Sequence, residues 1–165
     1  MIGYVCLPRV GTESPGDRLL CKVARNLEAE GIALAGAVQV GSTCRADEMR
    51  LEFLGTVDDS QVISQDLGQT STSCRLDSGA LELAVERIAS ALPNARLVIL
   101  NKFGKQEAAG RGMRPLIAEA LERGLPVLIY VVPEALDEFR AFAGDMAKML
   151  TAATAEDWCR SAVAA

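Results

Sequence analysis

The chain contains no histidine, which removes the side chain most often used as a general base or metal ligand near neutral pH. Any catalysis would fall to carboxylates, lysines, thiols or a bound ion. Its five cysteines, Cys6, Cys21, Cys44, Cys74 and Cys159, are an odd number with no CxxC pair. That spacing argues against a disulfide framework or a standard zinc site, so no metal is expected. Aromatic residues make up only 4% of the chain, and Trp158 and Phe139 read as packing anchors rather than stacking platforms. No apolar run approaches the roughly 18 residues of a membrane span. The opening MIGYVCLPRV lacks the basic flank and apolar length of a signal peptide, so a cytoplasmic location is expected. There is no basic excess: the net charge is −5, which argues against nucleic acid and anionic membrane surfaces as partners. A small anionic ligand bound locally, and a second copy of the chain as a homodimer partner, remain compatible with it.

What is present suits a globular fold. Half of the 165 residues are apolar and 24% are charged, enough for one core that buries roughly two-thirds of the unfolded chain's surface. Residues 1–165 are therefore expected to form one domain. Ile2–Leu7 reads as a short buried strand ended by the Pro/Gly-rich stretch Pro8–Gly16. From Asp17, apolar residues recur at helical spacing until Gly31, and Ile32–Val40 is a second apolar strand. This βαβ beginning predicts a parallel sheet. Residues 41–76 alternate charged and apolar positions and predict a small antiparallel insertion. Asp77 is a fitting N-cap for a helix through Leu92. Arg96–Leu100 and Pro126–Val132 read as buried strands, Pro115–Arg123 and the segment opening at Pro133 as helices, Ala147–Leu150 as a short edge strand, and Ala155–Val163 as a final helix. The expected fold is α/β: three layers, a mostly parallel sheet with helices on both faces.

In such a sheet, ligands gather beyond the carboxyl ends of the strands. Three loops are candidates. The first, PRVGTESPGDRLL, carries Gly11, Thr12, Gly16 and Arg18 in the frame of a phosphate-binding loop, GxxxxGK[ST], but lacks its lysine. Gly16, Asp17 and Arg18 stand where the terminal triplet would be. It reads either as a remnant phosphate loop or as a plain connection capped by Asp17. The second, Thr70 to Arg75, offers the hydroxyls of Ser71 and Ser73, the Cys74 thiol and the Arg75 guanidinium before a helix N-terminus. It is either an oxyanion pocket or a solvated turn, and Cys74 is the cysteine best placed for a lowered thiol pKa. The third places Asn101, Lys102, Lys105 and Glu107 directly after a buried strand, as ligand contacts or as surface ion pairs.

The runs STSCRLDSGALELAVERI, RLVILNKFGKQEAAGRGM and IAEALERGLPVL resemble the small P-loop nucleoside triphosphatases, and more closely an uncharacterised bacterial family related to them. The resemblance implies a P-loop-type core. In the hydrolysing relatives the strand corresponding to RLVIL ends in an acidic pair that positions magnesium and the attacking water, whereas this chain has Asn101 and Lys102 there. The departures imply a fold retained and hydrolysis lost. The expected function is a regulatory domain that binds a nucleotide or small oxyanion without hydrolysing it. Members of the related family have been named in connection with molybdate transport, a pointer to an oxyanion. The competing readings are a divergent nucleoside triphosphatase, in which Glu107 orients water, and a structural subunit with no ligand.

Overall fold

The computed structural model describes residues 1–10, 14–40, 49–56, 59–65 and 76–165. Among these, seven strands form one sheet: β1 (Ile2–Val5), β2 (Leu34–Val40), β3 (Arg50–Phe53), β4 (Ser60–Val62), β5 (Leu97–Phe103), β6 (Val127–Val131) and β7 (Ala147–Met149). Their order is β4-β3-β2-β5-β6-β1-β7. The pairs β2–β5, β5–β6, β6–β1 and β1–β7 are parallel, while β3 and β4 extend the β2 edge antiparallel. The four expected buried strands are thus mutually parallel, and the insertion is the antiparallel pair. Six helices accompany them: α1 (Pro15–Ala29), α2 (Ser78–Ala91), the four-residue α3 (Lys105–Ala108), α4 (Arg114–Glu122), α5 (Leu136–Ala143) and α6 (Ala155–Ala164).

Alternation along the central strands explains the three layers. Val127, Ile129 and Val131 of β6 face a core shared with Leu81 and Ile88 of α2, Ile117 of α4 and Phe139 of α5. Leu128 and Tyr130 face the opposite core, with Leu20, Val23 and Leu27 of α1 and Cys159 of α6. Both faces of β6 are apolar and all five of its residues are buried, as a central parallel strand requires.

Local signals set the helix ends. Ser14 caps α1 by accepting the Asp17 N–H at 3.3 Å, and Pro15 follows inside the first turn. Asp17, expected as the cap, therefore lies in the first turn itself. At the other end Gly31, at φ +76°, donates to Glu28 O while Ile32 donates to Leu27 O, the paired bonds of a Schellman stop. Asp77 caps α2, accepting from Ala80 N at 3.0 Å. The helix expected at Pro133 begins with a 3₁₀ turn, Pro133–Ala135, before α5.

One strand boundary moves. The strand read as Arg96–Leu100 continues through Asn101, Lys102 and Phe103, so those residues stand on β5 rather than in a loop. Cys6 and Cys21 are partly buried, and Cys159 is the buried thiol among the described cysteines.

Candidate functional site

The carboxyl ends of β1, β5 and β6 converge with the first turn of α1. Tyr130, near the end of β6, is buried, and its hydroxyl donates to Leu7 O at 3.2 Å. Its ring lies directly under Gly16. A β-carbon built at Gly16 would come within 2.3 Å of the ring, so only glycine lets the first turn of α1 settle this low. Gly16→Ala is expected to lower stability by about 1–3 kcal/mol through overpacking, measured as a lower denaturant midpoint with an unchanged m-value.

Asn101, 4% exposed, closes the other side from β5. Its Nδ2 donates to Gln39 Oε1 on β2 at 3.3 Å, while its Oδ1 has no donor among the described residues. Asp17 Oδ1 is likewise buried and without a donor among the described residues. Burial pushes the Asp17 carboxyl above its ordinary value; the Lys102 charge, the Ser14 hydroxyl, the Arg9 charge and the Asn101 amide oppose that shift. Burial also raises the Tyr130 phenol, against the Ser14 contact and with help from the Asp17 charge.

This geometry predicts a pH effect with a definite sign. A folded-state pKa above the unfolded value means the native state binds more protons in the window between the two, so stability falls as pH rises through it. Asp17→Asn should therefore stabilise the protein above that window and have no such benefit in acid below the unfolded value. Thermal melts of both proteins across pH check this.

Glu107 is turned inward. It is 5% exposed, its Oε2 accepts from Gly104 N at 3.0 Å and its Oε1 accepts from Met113 N at 2.9 Å. The first bond is the back-reach of a capping-box carboxylate, and the second ties α3 to the start of α4. Gly112, at φ +60°, passes so close that a β-carbon there would lie 2.3 Å from Oε1. The carboxylate is thus committed to backbone rather than presented to a ligand. Glu107→Ala, which strands two buried N–H groups, should cost about 1–3 kcal/mol per group; urea denaturation reads it directly.

Of the other candidate residues, Lys102 is partly buried beside Asp17, and Lys105 and Arg18 are exposed. Gly11, Thr12, Ser71, Ser73, Cys74 and Arg75 lie outside the described residues. Among described thiols, burial raises Cys6, pushes Cys21 to about 11 and Cys159 to about 12, the reverse of an activated thiolate. No three His, Cys, Asp or Glu side chains gather as a metal site among the described residues, and no described helix is long and apolar enough to cross a membrane. A separate cleft of about 430 Å³ lies between α1 and the β3–β4 pair. Its carboxylates are already engaged: Glu52 by Arg25 at 3.6 Å, Glu28 by Gly55 N at 3.0 Å, and Asp59 by Arg87.

The match to known proteins follows this outline. The family model described as a protein of unknown function (DUF2478) covers residues 9–158. The chain belongs to that family. It is also 34% identical, over 139 residues, to the molybdenum import ATP-binding protein ModC 2 of Bradyrhizobium diazoefficiens. That alignment takes in 81% of this chain but 15% of the relative, so the chain corresponds to a small part of it. The crystal structure of THEP1 from the hyperthermophile Aquifex aeolicus superposes with a TM-score of 0.60, covering 97% of this chain and 95% of that one at 17% identity. The fold of this DUF2478 member is therefore that of THEP1, a P-loop nucleoside-triphosphatase fold.

Gly11 and Gly16 have the spacing of the GxxxxGK[ST] motif with Asp17 in place of its lysine, and Lys102 stands near the end of β5. The Asp17 carboxyl and the Lys102 ammonium interact electrostatically. The sequence carried a signal for this in the Gly16-Asp17-Arg18 triplet. Gln39 and Tyr130 carried none, because each reads as an ordinary strand residue.

Proposed function

We infer that the chain is a non-hydrolysing domain that binds a nucleotide or small oxyanion at the carboxyl edge of its sheet, in a regulatory role. The observation that supports this reading is the cluster of Lys102 and Arg9 around the partly buried Asp17 in the first turn of α1, at the carboxyl edge of the sheet. Lys102 and Arg9 provide positive charge near the α1 N-terminus, whose dipole also favours an anion. Hydrolysis needs a phosphate lysine and acidic residues to hold magnesium and orient water. Asn101, Lys102 and Arg18 are poor donors for magnesium, and Asp17, the carboxylate at this edge among the described residues, is flanked by cations. Glu107 does not replace them, since both of its oxygens hold backbone N–H groups.

Similarity to part of a protein named for molybdenum import supports molybdate as one oxyanion to test. Ser71, Ser73, Cys74, Arg75 and Lys105 are proposed to complete the ligand contacts, because residues 70–75 precede α2 in sequence by a few positions while Lys105 opens α3 just beyond β5. Calorimetric titration with phosphate, molybdate, ADP and ATP tests the reading. Saturable binding of one of these is expected; no binding of any of them leaves the ligand-free structural subunit as the better account.

A further inference from the structure

Asn101 turns an unmet acceptor toward the first turn of α1. Leu97 and Ile99 of β5 belong to the core shared with α1, and strand alternation puts Asn101 on that same face, one step nearer the carboxyl edge. It pairs in register with Tyr130, whose ring lies under Gly16 in the first turn of α1. The Asn101 side chain is 4% exposed, and its Oδ1 has no donor among the described residues. Gln39 decides which end of the amide is left over. Its Oε1 holds Asn101 Nδ2 at 3.3 Å, so Oδ1 is presented as an acceptor.

A buried acceptor without a donor is costly, and a ligand that supplies one recovers that cost. Every oxygen of sulfate or molybdate is an acceptor near neutral pH, so either anion would set lone pair against lone pair at Asn101. Hydrogen phosphate has the same charge and tetrahedral shape, yet keeps one hydroxyl. Asp17 Oδ1, also buried without a donor among the described residues, is a second acceptor in that turn which a fully deprotonated anion leaves unmet.

We propose that the anion site at the α1 N-terminus selects free hydrogen phosphate, with Asn101 Oδ1 accepting its hydroxyl and Gln39 as the positioning residue that holds the amide. No bond in the anion changes. The proposal rests on the anion-binding reading of this site and narrows its ligand. Lys102, Arg9 and the helix dipole attract any dianion. Discrimination falls to Asn101, because a site built around a ligand hydroxyl is left with a buried unpaired group when the hydroxyl is missing.

Calorimetric titration at about pH 8 with inorganic phosphate, sulfate, molybdate and AMP tests this. Phosphate, sulfate and molybdate are then all dianions, and AMP carries a phosphate dianion with no hydroxyl, its second ionisation lying near about pH 6. Wild type should bind phosphate at least about tenfold more tightly than sulfate or molybdate, with AMP siding with sulfate. Asn101→Leu and Gln39→Leu should bring the phosphate-to-sulfate ratio towards one, while Gln39→Glu, which keeps the acceptor for Nδ2, should retain it. A general loss of stability does not move this ratio, since it compares two anions on one protein. An unchanged ratio in Asn101→Leu overturns the proposal. Sulfate bound by wild type as tightly as phosphate overturns it too and leaves the binding reading standing; that is the result expected if both amides are turned over, which presents a donor instead. AMP bound as tightly as phosphate assigns the site to a nucleotide and also overturns it. No anion bound by wild type overturns both the selection and the binding reading.

Discussion

Gly36→Ala should fail to accumulate as folded protein, or should unfold with a loss of about 4 kcal/mol or more. Gly36 sits in the middle of β2 at φ +121°, a backbone conformation closed to residues with a β-carbon. A β-carbon there would lie 1.9 Å from Ile99 O on the adjoining strand β5. Neither problem has a local remedy. The contact is with backbone, so relief requires β2 and β5 to separate, and β2 carries the β3–β4 pair on its far edge. The same strands hold Gln39 and Asn101 in contact. Circular dichroism during urea denaturation measures the effect. A Gly36→Ala protein as stable as wild type would show that β2 and β5 are not paired in this register.

Lys102→Ala should weaken binding of phosphate, molybdate or nucleotide at least about tenfold, the size of one charge-assisted contact of about 1.5–3 kcal/mol. Lys102 is the leading opposing charge on Asp17, so its loss removes attraction for the anion and leaves Asp17 less balanced. Lys105→Ala should have a smaller effect, because Lys105 is solvent-exposed at the start of α3 and its charge is screened. Titrations at low and moderate salt separate the two. Equal affinity for wild type and Lys102→Ala would move the anion away from the end of β5.

Much of the fold was legible because its signals are local and redundant. Apolar runs marked the parallel strands, Gly31 marked the end of α1, and the Asp77 cap of α2 needs only a carboxyl three residues before an N–H. The boundaries that moved were those where tertiary burial overrides residue type. Asn101 and Lys102 look like loop residues, yet β5 carries them onward because Asn101 pairs with Gln39 across the sheet. Asp17 and Ser14 are both acceptable caps, and Pro15 in the first turn decides for Ser14.

The site was legible as a place more than as an arrangement. Its sheet edge follows from the strand pattern, and Asp17 in place of the lysine of the GxxxxGK[ST] motif is visible as a residue type. That Asp17 and Lys102 interact, that Tyr130 supports Gly16, and that Glu107 is spent on backbone N–H groups depend on contacts between residues distant in sequence or on the turn between α3 and α4. A one-dimensional reading leaves Glu107 looking like a catalytic carboxylate. Three dimensions give it a backbone-holding role instead.

The central claim is binding without turnover, and calorimetric titration of the wild-type protein with magnesium-ATP tests both halves in one experiment. Binding alone releases finite heat pulses that saturate and return to baseline, whereas hydrolysis generates a sustained thermal power after each addition. The account predicts saturable pulses with a flat baseline. A continuing heat flow corresponding to turnover of about 1 s⁻¹ or faster, the pace of an ordinary enzyme, would contradict it.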